Sequence, residues 1–186
     1  AGTSGTITLN TTNVALSGDS TDIVSAFAGT VTEHTGQITV TNNDYTVAEL
    51  KTINAETTGA IVLSQTGAAL SGDSTDIAAA FAGTVTTHTG TVTITNNDYT
   101  LTELVTINNN STGAITLNTT NVALSGSSTN LAAALDGSIN STGAVTVTNN
   151  DYTVAQLKTI NAGTSGTITL NTTNVALSGD SADIVL

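Results

Sequence analysis

Residues 36–58 read GQITVTNNDYTVAELKTINAETT, and within 23 residues they contain one strand pattern and one helix pattern. Residues 37–40 alternate between polar and apolar side chains, which predicts a short β-strand with one buried face. The Asn, Asp and Thr that follow are typical of a turn. This stretch therefore predicts a compact strand–turn–helix element.

The second half of this stretch carries a helix-start signal. Thr46 and Glu49 form the Thr-x-x-Glu pattern of a capping box, in which each side chain accepts a hydrogen bond from the other residue's backbone N–H. Val47, Leu50 and Ile53 follow at helical spacing and predict one apolar face over about two turns. A helix this short is marginal by itself, so we expect tertiary packing to hold it.

The same element recurs along the chain. The sequence Asn-Asn-Asp-Tyr-Thr places Asp44, Asp98 and Asp151 at intervals of 54 and 53 residues. These intervals divide the chain into units 1–58, 59–112 and 113–165 and a partial unit 166–186. Three units make a super-repeat of 161 residues, because residues 1–24 match residues 162–185 with a single change. We expect the chain to be a fragment of a longer array of such blocks.

Each unit divides further into two parts. A Gly-x-[Ile/Val] strand signal recurs at alternating intervals of 31 or 30 and 23 residues. The glycines are Gly5, Gly36, Gly59, Gly90, Gly113, Gly143 and Gly166. The pattern predicts an α/β solenoid of alternating 31- and 23-residue coils, with short parallel strands on one side and short capped helices on the other. The crossover rule makes it right-handed. A right-handed β-solenoid is the alternative.

The long coil carries a second capping pattern. Asp19 and Asp22 precede Ile23, Ala26 and Phe27, which lie at helical spacing. Cap-type residues occupy the same two positions in the other units, as capping predicts. These pairs are Asp73 and Asp76, Ser127 and Asn130, and Asp180 and Asp183.

Composition excludes several classes of partner. The chain has 14 acidic residues against two basic ones and a formal net charge of -12. Nucleic-acid binding requires Lys and Arg, and an anionic membrane surface would repel the chain. No apolar run approaches the roughly 18 residues that span a bilayer, so we expect no membrane insertion. The absence of cysteine excludes disulfides and thiolate chemistry.

The repeated carboxylates are the one set of candidate metal ligands, and no other cofactor is indicated. Ca²⁺ takes about six to eight oxygen ligands, which clustered carboxylates can supply. The structural interpretation is favoured, because Asp and Asn also serve as helix caps and turn residues. The weak Ca²⁺ candidates are Asp19, Asp22, Asp44, Asp73, Asp76, Asp98, Asp151, Asp180 and Asp183.

Other repeated side chains support structural roles. His34 and His88 occupy equivalent positions, the third unit lacks the residue, and we interpret them as exposed turn residues. Tyr45, Tyr99 and Tyr152 form a column whose rings are expected to pack at a corner, with a sugar-stacking surface as the alternative. Ranked Thr-x-Thr pairs leave ice binding open, although Thr is also the usual polar residue on an outward strand face.

Two stretches, NDYTVAELKTINAETTGAIVLS (residues 43–64) and ALSGDSTDIAAAFAGTVTTHTGTVTI (residues 69–94), resemble tandem repeats of giant secreted proteins of cyanobacteria and other aquatic bacteria. The resemblance covers essentially the whole chain. It implies an extracellular or cell-surface location and a role in adhesion, surface coats or filaments. It carries over no functional residues.

Three functions follow as hypotheses. The first is a structural segment of a bacterial surface protein or fibre, in which copies of the chain associate end to end or laterally. The second is a binding module in a surface adhesin that presents a repeated face to Ca²⁺, glycan or ice. The third is an enzyme acting on polysaccharide. We expect no enzyme, because the acids recur at coil corners and form no unique pair of catalytic carboxylates.

Overall fold

The computed structural model describes residues 5–137 and 139–179. In this part of the chain six helices alternate with nine three-residue strands. The strands are β1 (Leu16–Gly18), β2 (Ile38–Val40), β3 (Ile61–Leu63), β4 (Leu70–Gly72), β5 (Val92–Ile94), β6 (Ile115–Leu117), β7 (Leu124–Gly126), β8 (Val145–Val147) and β9 (Ile168–Leu170). The helices are α1 (Ser20–Ala26), α2 (Val47–Ala55), α3 (Ser74–Ala80), α4 (Leu101–Asn109), α5 (Ser128–Leu135) and α6 (Val154–Gly163).

The strands form three parallel sheets, each with three strands in chain order. In the first sheet Leu16 lies opposite Ile38, and Ile38 lies opposite Ile61. The second and third sheets repeat this register in units two and three. The predicted α/β architecture with short parallel strands is therefore confirmed. The alternative built from β-structure alone is wrong, because six helices separate the strands.

The pairing explains why two segment lengths alternate. We call residues 5–35, 59–89 and 113–142 long segments, and residues 36–58, 90–112 and 143–165 short segments. The second and third long segments, residues 59–89 and 113–142, each carry two strands. In residues 59–89, β3 pairs back to β2 of the preceding short segment, whereas β4 pairs forward to β5 of the next one. The extra residues of this long segment therefore supply a second strand, which begins the next sheet.

The recurring glycines permit close contact between consecutive segments. A Cβ atom added at Gly59 would lie 1.8 Å from the carbonyl oxygen of Gly36, and one at Gly113 would lie 1.8 Å from that of Gly90. No Cβ tolerates such a distance, so only glycine fits. The strand signal found in the sequence thus marks the points where backbones of neighbouring segments touch.

One apolar core runs between the strands and the helices. Leu50 and Ile53 are fully buried and Val47 is 7% exposed, as the helical spacing predicted. Each helix packs on the next along the chain, from α1 on α2 to α5 on α6. Packing between neighbours therefore stabilises helices that would be marginal alone.

The predicted capping boxes are present at the short-segment helices. Thr46 accepts a hydrogen bond from the Glu49 backbone, and the Glu49 carboxylate accepts from the Thr46 N–H at 2.8 Å. The equivalent pairs are Thr100 with Glu103 and Thr153 with Gln156.

The second prediction of helix caps, for the long-segment helices, is only partly confirmed. Asp19 stands at the N-cap of α1, but its carboxylate accepts from Thr41 Oγ1 at 2.9 Å and does not bond to the first turn of its own helix. The amide oxygen of Asn42 accepts from the Ser20 N–H instead, at 2.9 Å. Asp73 behaves like Asp19, whereas Ser127 does cap α5. The prediction failed at the aspartates because the next segment supplies the acceptor.

Candidate functional site

A polar corner forms where a long segment meets the short segment that follows it. Asn42 lies at its centre and donates from Nδ2 to Ser20 Oγ at 2.9 Å and to Asp44 Oδ1 at 2.7 Å. Its oxygen caps the start of α1. One amide thereby joins two segments and orients the Asp44 carboxylate.

The corner recurs in the other two units with the same geometry. Asn96 bonds to Ser74 and Asp98, and Asn149 bonds to Ser128 and Asp151. The side-chain hydrogen bonds are therefore properties of the repeat. Since Asn42 and its equivalents satisfy helix N–H groups across segments, these corners act as interlocks between neighbours.

The candidate Ca²⁺ ligands are distributed along this row of corners. In the first unit, Asp19 and Asp44 each accept from a neighbouring polar side chain. In the second unit, Asp76 forms an ion pair with Lys51 of the first unit at 2.5 Å. Within residues 5–137 and 139–179 no three His, Cys, Asp or Glu side chains come together as a metal site. Asp180 and Asp183 lie outside the described residues. Ca²⁺ binding remains a prediction.

Glu49 links its capping box to the preceding helix. Its carboxylate accepts from Thr21 Oγ1 at 3.0 Å as well as from Thr46. Burial acts to raise the pKa of Glu49, but hydrogen bonds from Thr46, Thr21 and Ser20 outweigh it and lower the pKa below its ordinary value. The same balance lowers the pKa of Glu103. In the third unit Gln156 makes the equivalent contacts without charge.

His34 and His88 are buried, so their interpretation as exposed turn residues is wrong. They are 2% and 0% exposed. His34 packs against Phe27 with ring centroids 5.9 Å apart, and its Nε2 lies 2.8 Å from the Val14 carbonyl oxygen. Both residues also bridge in parallel to the next segment, at Thr57 and Ser111. Lateral packing of three segments covers the rings, which spacing within the sequence does not reveal.

His88 has an unusual environment. Its Nδ1 lies 3.2 Å from the Tyr45 hydroxyl, while Phe81 and Tyr45 contact its ring at centroid distances of 5.7 and 6.1 Å. Its buried Nε2 has no hydrogen-bond partner among the described residues. Burial lowers the pKa of His88, and Ala68 opposes the shift only in part. Burial therefore favours the neutral form of the ring.

Ser141 takes the histidine's place in the third unit. It forms the same parallel bridge, to Thr164, so the third unit lacks the histidine as predicted but keeps its position, which a serine fills. Its Oγ donates to the Thr120 carbonyl at 3.2 Å and accepts from the Gly143 N–H. The Phe of the other units is Leu135 here. The joint loss of Phe and His was a sequence signal that the two rings pack together.

The tyrosine column packs at the corners as expected. Tyr45, Tyr99 and Tyr152 are all at least 97% buried, which leaves no exposed ring face for sugar stacking. Tyr99 donates to the Thr119 carbonyl at 2.7 Å, and Tyr152 donates to the carbonyl of Thr172. Burial raises the pKa of Tyr45 to about 12, with the Ala68 backbone acting in the opposite direction.

Threonines form short ladders between neighbouring segments. Hydroxyl pairs join Thr12 to Thr35 at 3.2 Å and Thr66 to Thr89 at 2.8 Å. Outward positions on the strands carry Ser or Thr, but Val62 interrupts the first sheet. Ice binding remains a prediction.

One surface groove, of about 520 Å³, has a single carboxylate, Asp136, among its lining residues, beside Asn108, Ser111 and Thr112. Paired-carboxylate hydrolysis requires a second acid across the cleft. This groove therefore does not provide that chemistry.

Comparisons with known proteins add no relatives. No family model, curated protein or solved structure matches this chain. None of the described helices is long and apolar enough to cross a membrane.

Proposed function

We propose that this chain is a structural segment of an extracellular bacterial surface protein or fibre, built as an α/β solenoid in which the long and short segments are successive coils. It has no catalytic role. Its function is to act as a spacer that lengthens the surface protein or fibre. Its acidic surface keeps the array soluble.

The hydrogen-bond ladder carries this proposal. Backbone hydrogen bonds between distant parts of the chain join residues about 20 to 25 positions apart, so each segment bonds to the one before and the one after. Such a pattern propagates in one dimension, as in repeat proteins whose units contact only their neighbours. Adding units lengthens the array and leaves its cross-section unchanged.

The side chains support the same direction of growth. Asn54 Nδ2 donates to the Ala79 carbonyl of the next helix at 2.8 Å, and Asn108 contacts Ala133 in the same way at 2.7 Å. With the Asn42-type corners, these amides give each segment two polar attachments to its neighbours. The repeated side chains thus serve cohesion between segments.

The decisive measurement is how the length of the array depends on the number of 161-residue blocks it contains. Neighbouring strands are about 4.8 Å apart, so six segments, or 161 residues, should extend an array by about 29 Å. We expect covalent tandems of one, two and three blocks to gain this length per block at constant cross-sectional radius in small-angle X-ray scattering.

The matched control joins two blocks through a flexible Gly/Ser linker. It should show a broad length distribution, because the linker breaks the hydrogen-bond ladder between blocks. A cross-section that grows with block number would contradict the solenoid. Antibodies against the chain should label intact source cells, and labelling only after lysis would contradict the surface location.

A further inference from the structure

The third long segment contains the one Asp–Gly pair of the sequence, Asp136–Gly137, in the turn that follows α5. The equivalent pairs in the first two units are Ala28–Gly29 and Ala82–Gly83. All three glycines have a positive φ, of 100°, 70° and 80° in chain order, which glycine adopts readily. The turn therefore forms with either alanine or aspartate before the glycine, and it does not require the carboxyl group of Asp136.

The carboxyl group of Asp136 lies against the next main-chain nitrogen. The Gly137 N–H donates to Asp136 Oδ1 at 3.0 Å and to no backbone carbonyl in the described part of the chain. Both residues are exposed, and a Cβ added at Gly137 would have no atom within 4 Å. The nitrogen therefore has the space and the freedom to reach the Cγ atom of Asp136.

The aspartates that precede a serine lack this freedom where the structure describes them. Asp19 precedes Ser20, whose N–H donates to Asn42 Oδ1 at 2.9 Å. Asp73 precedes Ser74, whose N–H is held in the same way at 2.8 Å. Both serines are fully buried at the starts of their helices. The polar corners therefore hold these two nitrogens away from the neighbouring carboxyl group.

We propose that Asp136–Gly137 is a site of spontaneous isoaspartate formation in the folded chain. The Gly137 nitrogen attacks Cγ of the protonated Asp136 carboxyl group, a succinimide ring closes through the new N–Cγ bond, and the carboxyl hydroxyl leaves with the N–H proton as water. Water then adds to the ring and breaks a bond between the nitrogen and a ring carbonyl. Breaking the bond to Cγ restores aspartate, whereas breaking the bond to the main-chain carbonyl carbon gives isoaspartate, with no net change in mass.

The modification falls on an attachment between segments. Asn108 Nδ2 of α4 donates to the main-chain carbonyl of Asp136 at 3.1 Å. In isoaspartate this carbonyl becomes part of a free carboxylate, and the main chain reaches Gly137 through Cβ and Cγ, lengthened by a methylene group. Isomerisation therefore alters both the turn and its contact with α4. The chemistry of the site does not depend on the proposed function.

The test is peptide mapping by mass spectrometry of the unaltered chain after incubation at pH 7 and 37 °C, sampled over weeks. A protease that cleaves before aspartate but not before isoaspartate should progressively lose its cut at Asp136 and keep its cuts at Asp19 and Asp73. The uncut peptide should have an unchanged mass, which separates isomerisation from asparagine deamidation. Electron-transfer fragmentation should locate the isoaspartate at position 136.

Two variants separate the effect of structure from that of sequence. Ser20→Gly gives Asp19 a following glycine whose N–H can still donate to Asn42, so Asp19 should stay unmodified in the folded chain. In urea, where that hydrogen bond is lost, the same variant should form isoaspartate at Asp19. Ala82→Asp copies the third-unit pair into the exposed turn before Gly83 and should create a second site in the folded chain. Circular dichroism of both variants should match the unaltered chain.

Three results would overturn the proposal. They are an Asp136 that stays unmodified in the folded chain, an Ala82→Asp chain without a second site, and a folded Ser20→Gly chain that isomerises at Asp19 as fast as at Asp136. Isoaspartate confined to Asp136, and to position 82 in the Ala82→Asp chain, supports it. None of these results affects the tandem-block lengths that test the solenoid.

Discussion

The second and third units form the same backbone bridge with different side chains, His88 in one and Ser141 in the other. In the second unit the corner holds His88 between Phe81 and Tyr45, with one ring nitrogen unpartnered in the described structure. In the third unit the smaller Ser141 satisfies its hydroxyl with local backbone groups beside the buried Leu135. Both residues make the same parallel bridge, so the bridge does not require a ring.

The second and third units also differ at the start of their short-segment helices, α4 and α6. Glu103 closes the capping box in unit two, whereas the neutral Gln156 closes it in unit three. The third unit therefore lacks equivalents of His88 and Glu103, the two groups whose pKa is lowered in the second unit. The comparison teaches that cohesion between segments comes from backbone and amide contacts, and that acid sensitivity is an addition specific to some units.

Removing the buried side chain beside each corner should have the largest effect. Phe81→Ala should lower the free energy of unfolding by about 3–5 kcal/mol, and Leu135→Ala should lower it by about 2–5 kcal/mol. Both losses come from lost apolar burial and from the cavity that remains. Only Phe81→Ala should also raise the pKa of His88 toward its ordinary value, because it admits water to the ring. Urea unfolding and NMR titration of the histidines measure the two effects. An unchanged His88 titration would show that Phe81 does not shield it.

Acid should destabilise the second unit through His88. The pKa of His88 is lowered in the folded state, so the unfolded state binds the proton first. Stability is fully present above the ordinary pKa near 6.5 and falls as pH drops through 6.5 toward the folded pKa. His88→Ser copies unit three and should flatten the stability profile in this window, at the cost of a cavity at pH 8. Denaturant unfolding from pH 8 to pH 5 measures this, and a profile as steep as that of the unaltered chain would contradict it.

Removing the tyrosine hydroxyl should have a smaller, unequal effect in the two units. Tyr45→Phe leaves both nitrogens of a buried ring without a side-chain partner and should cost about 1–3 kcal/mol, the penalty for an unsatisfied buried polar group. Tyr99→Phe removes a bond to the Thr119 carbonyl, which lies where water has access, and should cost about 1 kcal/mol. Thermal unfolding at pH 8 compares them. Equal losses would indicate that the Tyr45–His88 contact has no special weight.

Most of the local structure could be predicted from sequence because its signals are local. The strand alternation at Ile38, the helical spacing of Leu50 and Ile53, and the Thr46 capping box all concern residues a few positions apart. Each was confirmed. The parallel pairing followed from repetition, since equivalent strands of stacked segments must lie side by side.

The environment of the corners could not be predicted in the same way. Burial of His88 depends on Tyr45, 43 positions earlier, and on Phe81 in its own segment. The cap of α1 comes from Asn42, 22 positions after Ser20. These contacts depend on the lateral offset between segments, which the 54-residue period does not specify. The parallel change of Phe and His between units was the one sequence signal of the shared corner.

Neutralising a capping carboxylate should have the smallest effect and a separate pH window. Hydrogen bonds lower the pKa of Glu103 below 4.5 despite burial, so its contribution is present above 4.5 and is lost as pH falls through the folded pKa. Glu103→Gln copies Gln156 and should keep helix α4 intact while removing this low-pH loss. Unfolding measured between pH 5 and pH 3 in a His88→Ser background isolates the carboxylate, with Gln156→Glu as the reciprocal variant that should introduce the loss into unit three. If both variants follow the parent profile, the charge on the capping box contributes nothing, and its two hydrogen bonds alone set the stability of the corner.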